Sequence, residues 1–197
     1  MIPQLIRSRH VTSYLACTAM LLALQVACST DHPDIDLASR LLPFCPNLAI
    51  TATATAQSAF PGYSATKIND GDRDTTVGGQ SSWANADMYG PDGFLPNWVA
   101  LDFGGPQTFS RIDLYTTSGY ELQNYDIQVP SGGTWSTIAS VRGNRGTLVT
   151  TTFSAVAAAQ LRILGLRGPE IQPQYVRVNE LEVTNCAVQA RWPMVRS

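Results

Sequence analysis

NWVALDFGGPQTFSRIDLY, residues 97 to 115, decides the fold. Val99, Leu101 and Phe103 share one parity, and Ile112 and Leu114 share the other. This is the period-two pattern of strands that bury one face. Gly104-Gly105-Pro106 between them has the composition of a chain reversal. The same grammar runs outward in both directions, through AITATATA (49–56), YDIQV (125–129), TWSTIASV (134–141), TLVTTTF (147–153), QLRILGL (160–166) and YVRVNELEV (175–183). Asp70-Gly71, Ser131-Gly132-Gly133 and Gly143-Asn144-Arg145-Gly146 separate the runs. Short strands at this spacing predict an all-β, antiparallel β-sandwich or barrel. Trp98 and Trp135 lie inside strand patterns and are expected in the core. No repeat, heptad or amphipathic helix is visible.

The 197 residues suit one domain with short extensions. A leader carrying Arg7 and Arg9 would take two of the 13 basic residues with it, leaving 11 against 15 acidic ones. Lys67 is the one lysine and the arginines are scattered, so no basic stripe exists to follow successive phosphates and a nucleic-acid partner is not expected. Arg7, Arg9 and His10 precede the apolar run Leu15–Ala27, which has the charge order and length of a secretory signal and is too short to span a bilayer. Leu24-Gln25-Val26-Ala27-Cys28 is similar to a bacterial lipoprotein box, although Gln25 replaces its usual branched aliphatic residue. The expected organisation is a signal peptide over 1–27, a tether over 28–43 that is lipidated at Cys28, a domain over 44–187 and a loose tail over 188–197. The expected location is the cell envelope, with plain secretion as the alternative. Cys17 leaves with the signal, so lipidation of Cys28 would leave Cys45 and Cys186 to pair in an oxidising compartment.

Asn47-Leu48-Ala49, KINDGDRDT (67–75), the 97–115 stretch and YVRVNELEV occur in an order that resembles the discoidin family. This is the C-type domain of coagulation factors five and eight, which overlaps family thirty-two carbohydrate-binding modules. The resemblance spans Cys45 to Cys186 and implies a galactose-binding-like jelly roll. KINDGDRDT crowds Asp70, Asp72 and Asp74 into one turn that calls for a positive charge. An EF-hand is excluded, because Thr75 and Ser81 stand where its glycine and glutamate belong. The resemblance instead implies a structural calcium ion. Its oxygens would come from the Lys67 and Asp72 backbones, the Asp70 side chain, both oxygens of Thr75, the Asn179 backbone and the Glu180 carboxylate. Val176 and Val178 fall on even positions, Leu181 and Val183 on odd ones, so a bulge is expected near Glu180.

Recognition in such sandwiches sits on loops, here 76–96, 116–124 and 167–174. Trp83, Tyr89 and Phe94 are candidate stacking platforms for a sugar, Asn85, Asp87 and Arg167 candidate hydrogen-bonding partners, and Tyr120 and Glu121 join them from the second loop. Galactose-binding relatives typically use a histidine, an arginine just after the RIDLY-type strand and an asparagine, whereas this sequence has no histidine in the domain. Its histidines are His10 and His32, Thr117 stands at the arginine position, and Val77 replaces a typical tryptophan. The expected function is a monomeric, non-catalytic module for an extracellular glycan or other polymer. The competing expectation is an adhesive domain for a protein or for lipid headgroups. An enzyme is disfavoured, since the domain has no histidine to act as base and no GxSxG or zinc-spaced cluster.

Overall fold

A computed structural model describes residues 45–86 and 94–185. All of these residues belong to one compact unit. The strands are β1 (Thr53–Ala56), β2 (Trp83–Ala84), β3 (Asn97–Tyr115), β4 (Asn124–Ser131), β5 (Thr134–Val141), β6 (Leu148–Arg167), β7 (Arg177–Val178) and β8 (Glu180–Thr184). Two 3₁₀ turns, Leu48–Thr51 and Ala65–Asn69, complete the elements, and no described helix is long and apolar enough to cross a membrane. All pairings are antiparallel. β1, β3, β6, β4 and β5 lie side by side in that order, β8 joins the other part of β3, and β2 pairs with β7.

Gly104-Gly105-Pro106 does not reverse the chain. β3 runs through it, and the cost appears as a register shift from Asp102↔Gln160 to Gln107↔Ala158, with Gly104 at φ 73°. A bulge of this kind bends a strand while keeping its direction. The first part of β3 pairs with β1 and the end of β6, and its last part pairs with β8 and the start of β6. Each long strand thereby serves both layers of a sandwich. Phe109 packs against Phe103 and Phe153 at 5.7 and 6.2 Å between ring centres. A second shift, between Phe109 and Arg111, explains the change in apolar parity along the stretch.

Val99 and Leu101 from one part of β3 share a fully buried core with Ile112 and Leu114 from the other, and with Ile127, Leu161, Leu181 and Val183. Fully burying each such side chain contributes roughly 1.5–3 kcal/mol. The two ends of the described domain meet at Asn47. Its side-chain oxygen accepts from the Ala49 amide at 3.0 Å, capping the first 3₁₀ turn, and from the Val183 amide in β8 at 2.9 Å.

Candidate functional site

The end of the chain changes layers at one residue. Val178 pairs with Trp83, Glu180 pairs with Tyr115, and Asn179 lies between them. The parity switch expected as a bulge is therefore a strand break, with β7 and β8 in different sheets. Asn179 is fully buried and ties three segments together. Its Nδ2 donates to the Asp74 carbonyl at 2.7 Å, its Oδ1 accepts from Thr117 Oγ1 at 2.7 Å, and its amide donates to the Tyr115 carbonyl at 2.8 Å.

Beside it, Glu180 is fully buried and neither carboxylate oxygen has a hydrogen-bond partner. Burial first, and then the Asp70 carboxylate, push its pKa up to about 8, against smaller opposing pulls from the Gly71 amide and Arg73. The 67–75 turn that faces it is built from nested aspartates. Asp70 accepts from the Asp72 amide, Asp72 from the Asp74 amide, and Asp74 from the Thr76 amide and hydroxyl. Lys67 Nζ lies 2.9 Å from Asp70 Oδ2. Asp70 and Glu180 carry oxygen donors of the kind that a hard cation takes. Among the described residues no group of three or more His, Cys, Asp or Glu side chains could hold a metal, so such a site depends on backbone oxygens.

The residues expected to contact a ligand separate into three groups. Trp83 is 1% exposed, and its indole nitrogen donates to the Ser58 carbonyl at 2.9 Å, so it is a core residue and no stacking platform. Asn85 is fully buried. It donates to the Gln174 carbonyl at 3.1 Å and accepts from the Val176 amide at 2.8 Å, closing the 168–175 loop, and has no face for a ligand. Asp87 and Tyr89 lie outside the described residues. Tyr120, Glu121 and Arg167 remain at the loop end, although not on one surface. Tyr120 lies against Arg177, whereas Glu121 accepts from the Gly119 amide at 2.8 Å and lines a separate cleft. Arg167 is exposed at the end of β6, where its carbonyl accepts from the Gln123 amide at 3.0 Å.

That cleft, of about 300 Å³, is framed by Glu121 and Gln123 from one loop, Asn144 and Arg145 from a second, and Glu170 and Ile171 from a third. An Arg145–Glu170 ion pair of 3.0 Å joins the latter two loops. Asn144 holds its turn by donating to the carbonyls of Leu122 and Gly146. Gly168 sets the third loop, because a Cβ there would lie 1.8 Å from the Tyr175 carbonyl. The cleft is polar, with Ile171 the main apolar surface at 71% exposure.

Residues 67–163 match the family model described as F5/F8 type C, NedA-like, galactose-binding domain. The fold is the galactose-binding-like one of known carbohydrate-binding modules. Chitosan-binding module 1 of a Paenibacillus sp. IK-5 chitosanase/glucanase, solved as a selenomethionine-labelled point mutant, is similar in structure with a TM-score of 0.58 and 28% identity, covering 71% of this chain and 98% of that one. Module 2 of the same enzyme, solved with chitotriose, has a TM-score of 0.55 and 26% identity over 70% and 98%. The family 32 module of Clostridium perfringens NanJ, solved with galactose, has a TM-score of 0.58 and 23% identity over 72% and 98%, and it agrees in fold. No curated protein matches by sequence.

Within this galactose-binding-like domain, Thr117 is fully buried and donates to Asn179, so the position that carries an arginine in galactose-binding relatives serves here as an internal strut. Reading the sequence missed Arg177. It is only 8% exposed and lies over the rings of Tyr120 and Tyr175 at 5.0 and 5.3 Å. Gln172 accepts from one terminal nitrogen at 2.7 Å, while Nε and Nη1 are buried without partners. Its position in YVRVNELEV, flanked by two valines, was the available signal. Asn144, Arg145 and Glu170 were also missed as lining residues, since turn composition alone does not show which turns converge. Cys45 is disulfide-bonded, and Cys186 lies outside the described residues.

Proposed function

We propose that this domain is a non-catalytic carbohydrate-binding module whose loop-end cleft takes an amino-sugar oligosaccharide. The convergence of three loops on an open cleft carrying two carboxylates, Glu121 and Glu170, is the observation that supports this reading. Carboxylates accept charge-assisted hydrogen bonds from protonated amines, and polar clefts with one apolar wall suit sugars, which have hydroxyl edges and CH faces. The similarity at 28% and 26% identity to modules named for chitosan points the same way. A galactose-type site fits less well, because Thr117 is an internal strut and the domain's sequence holds no histidine.

The same proposal gives the domain a calcium ion between the 67–75 turn and the Asn179-Glu180 step. The buried, unpartnered Glu180 carboxylate beside Asp70 supports this, since a cation would satisfy both at once. It also pairs Cys45 with Cys186, in keeping with the Asn47–Val183 bond that brings their neighbours together, and places an exported module on the envelope through Cys28.

Calorimetric titration with chitotriose and with galactose tests the binding claim. Chitotriose should bind more tightly, and Glu121→Ala should weaken it by about 10-fold or more, the loss expected for a hydrogen bond to a charged group. Preference for galactose, or an unchanged Glu121→Ala affinity, overturns the reading.

A further inference from the structure

We propose that the outer face of the large sheet is a second binding site, one that takes an extended polysaccharide chain of neutral or amine-bearing sugars. The inference rests on the reading of the domain as a glycan binder, and it concerns a surface made of strands and separate from the loops.

Val99, Leu101, Leu161, Ile163 and Ile127 point into the core, so the alternate residues of β3, β6 and β4 point outward. Two registered rows cross this face. Thr55, Ala100, Arg162, Gln128 and Thr137 form one, and Thr53, Asp102 and Gln160 form the other. Between them lies a trough of about 490 Å³ with Trp98 and Trp135 among its lining residues and Ala100 on its floor. Neither tryptophan is part of the core cluster, contrary to expectation, and both are half-buried. Their indole N–H groups donate to no described residue, in contrast to that of Trp83.

The charged and amide side chains here are held in place by neighbours. Arg162 lies 4.3 Å over the Trp135 ring, and its Nε donates to Gln128 Oε1 at 2.8 Å. Gln128 passes the chain on to Thr137 Oγ1 at 2.9 Å. The terminal nitrogens of Arg162 have no partner among the described residues. Asp102 accepts from Gln160 Nε2 and from the Gly104 amide, both at 2.8 Å, and these bonds hold its carboxyl below the usual carboxylate range. The face therefore offers rigid aromatic surfaces, a fixed carboxylate, free guanidinium donors and exposed threonine hydroxyls. Aromatic planes suit the CH faces of pyranose rings, and the polar groups suit their hydroxyl edges. The charge balance selects the occupant. Asp102 is the one charged residue among those lining the trough, and Arg162 lies outside that lining, so the trough disfavours a polyanion. The first row runs across all five strands and the second across three, the layout for the middle of a chain more than for a sugar terminus.

Depletion of the full-length chain by insoluble chitosan, with alginate as the polyanion control, tests this. Trp135→Ala and Trp98→Ala should each lower retention on chitosan roughly 10-fold, the scale of one lost aromatic contact. Thr55→Lys places a positive charge in the trough from an exposed strand position, so it should do the same without disturbing the core. Chitotriose titration, read at the loop cleft, should be unchanged in all three, while Glu121→Ala should show the converse pattern. Wild-type retention in all three variants overturns this proposal and leaves the loop reading intact. Stronger retention on alginate overturns it too. So does a wild-type dimer in sedimentation that Trp135→Ala dissolves, since the face would then be a contact between copies. Loss of chitotriose binding in Glu121→Ala alongside intact trough behaviour keeps the two readings separate.

Discussion

Two regions of this domain use tryptophan and polar side chains in opposite ways. Where the chain changes layers, Trp83, Asn85, Asn179 and Glu180 are enclosed, and a carboxyl group is left without a hydrogen-bond partner. On the outer sheet face, Trp98, Trp135, Asp102 and Arg162 are partly open to solvent, with Arg162 over the Trp135 ring and bonded to Gln128, and Asp102 bonded to Gln160. An enclosed polar group is costly unless satisfied, whereas an open one can wait for a ligand. The first region is therefore where stability is most sensitive, and the second where substitutions should be nearly silent until a ligand is offered.

The largest test of that contrast is a pair of alanine substitutions. Trp83→Ala should cost about 3–5 kcal/mol by opening a cavity in the core, whereas Trp135→Ala should cost about 1 kcal/mol or less beyond its lost contact with Arg162. Chemical denaturation measures both, and equal losses would break the comparison.

Calcium sharpens it next. If the ion occupies the turn, calcium at 100 times its dissociation constant should add about 2.7 kcal/mol of stability. Glu180→Gln should remove most of that response and leave the metal-free protein more stable than wild type near neutral pH, because the amide is buried without the proton uptake that the raised pKa of Glu180 imposes on folding. Melting with and without chelator reads both, and a calcium response that survives Glu180→Gln would rule out that carboxylate as a ligand.

The smallest effect is in pH. Glu180 has its folded-state pKa raised to about 8, above the ordinary value of 4.5. The metal-free fold therefore binds a proton that the unfolded chain has released, and the contribution of Glu180 to stability is fully present below about pH 4.5 and is lost as pH rises towards 8. Saturating calcium should flatten that decline, and should bind more weakly as pH falls through the same range, as protons compete for the same oxygens. On the sheet face, Asp102 is held below its usual range and stays ionised throughout, so chitosan retention should show no matching step from this group between pH 5 and 8.

The strands were legible because burial imposes parity, and Val99, Leu101, Ile112 and Leu114 all keep it. The same parity places Trp98 opposite Val99, so its outward direction was readable. A tryptophan inside a strand pattern reads as core only when size is weighed above phase. Gly104-Gly105-Pro106 misleads for a different reason. A bulge and a reversal use the same residues, and only the pairing partner, here β6 on both sides, distinguishes them. Trp83 and Asn85 resemble ligand contacts because long-loop aromatics and amides serve both purposes. What decides is their partners, Ser58, Gln174 and Val176, as many as 91 residues away in the chain. The Glu180 step was visible as a parity change, although its meaning, a crossing between sheets, needed the positions of β2 and β3.

Asn47 joins the first turn and the last strand through a single oxygen. Polypeptide consequently enters and leaves the described domain at one place. Splicing it into an exposed loop of an unrelated protein should leave both folds intact, since the graft points already sit together.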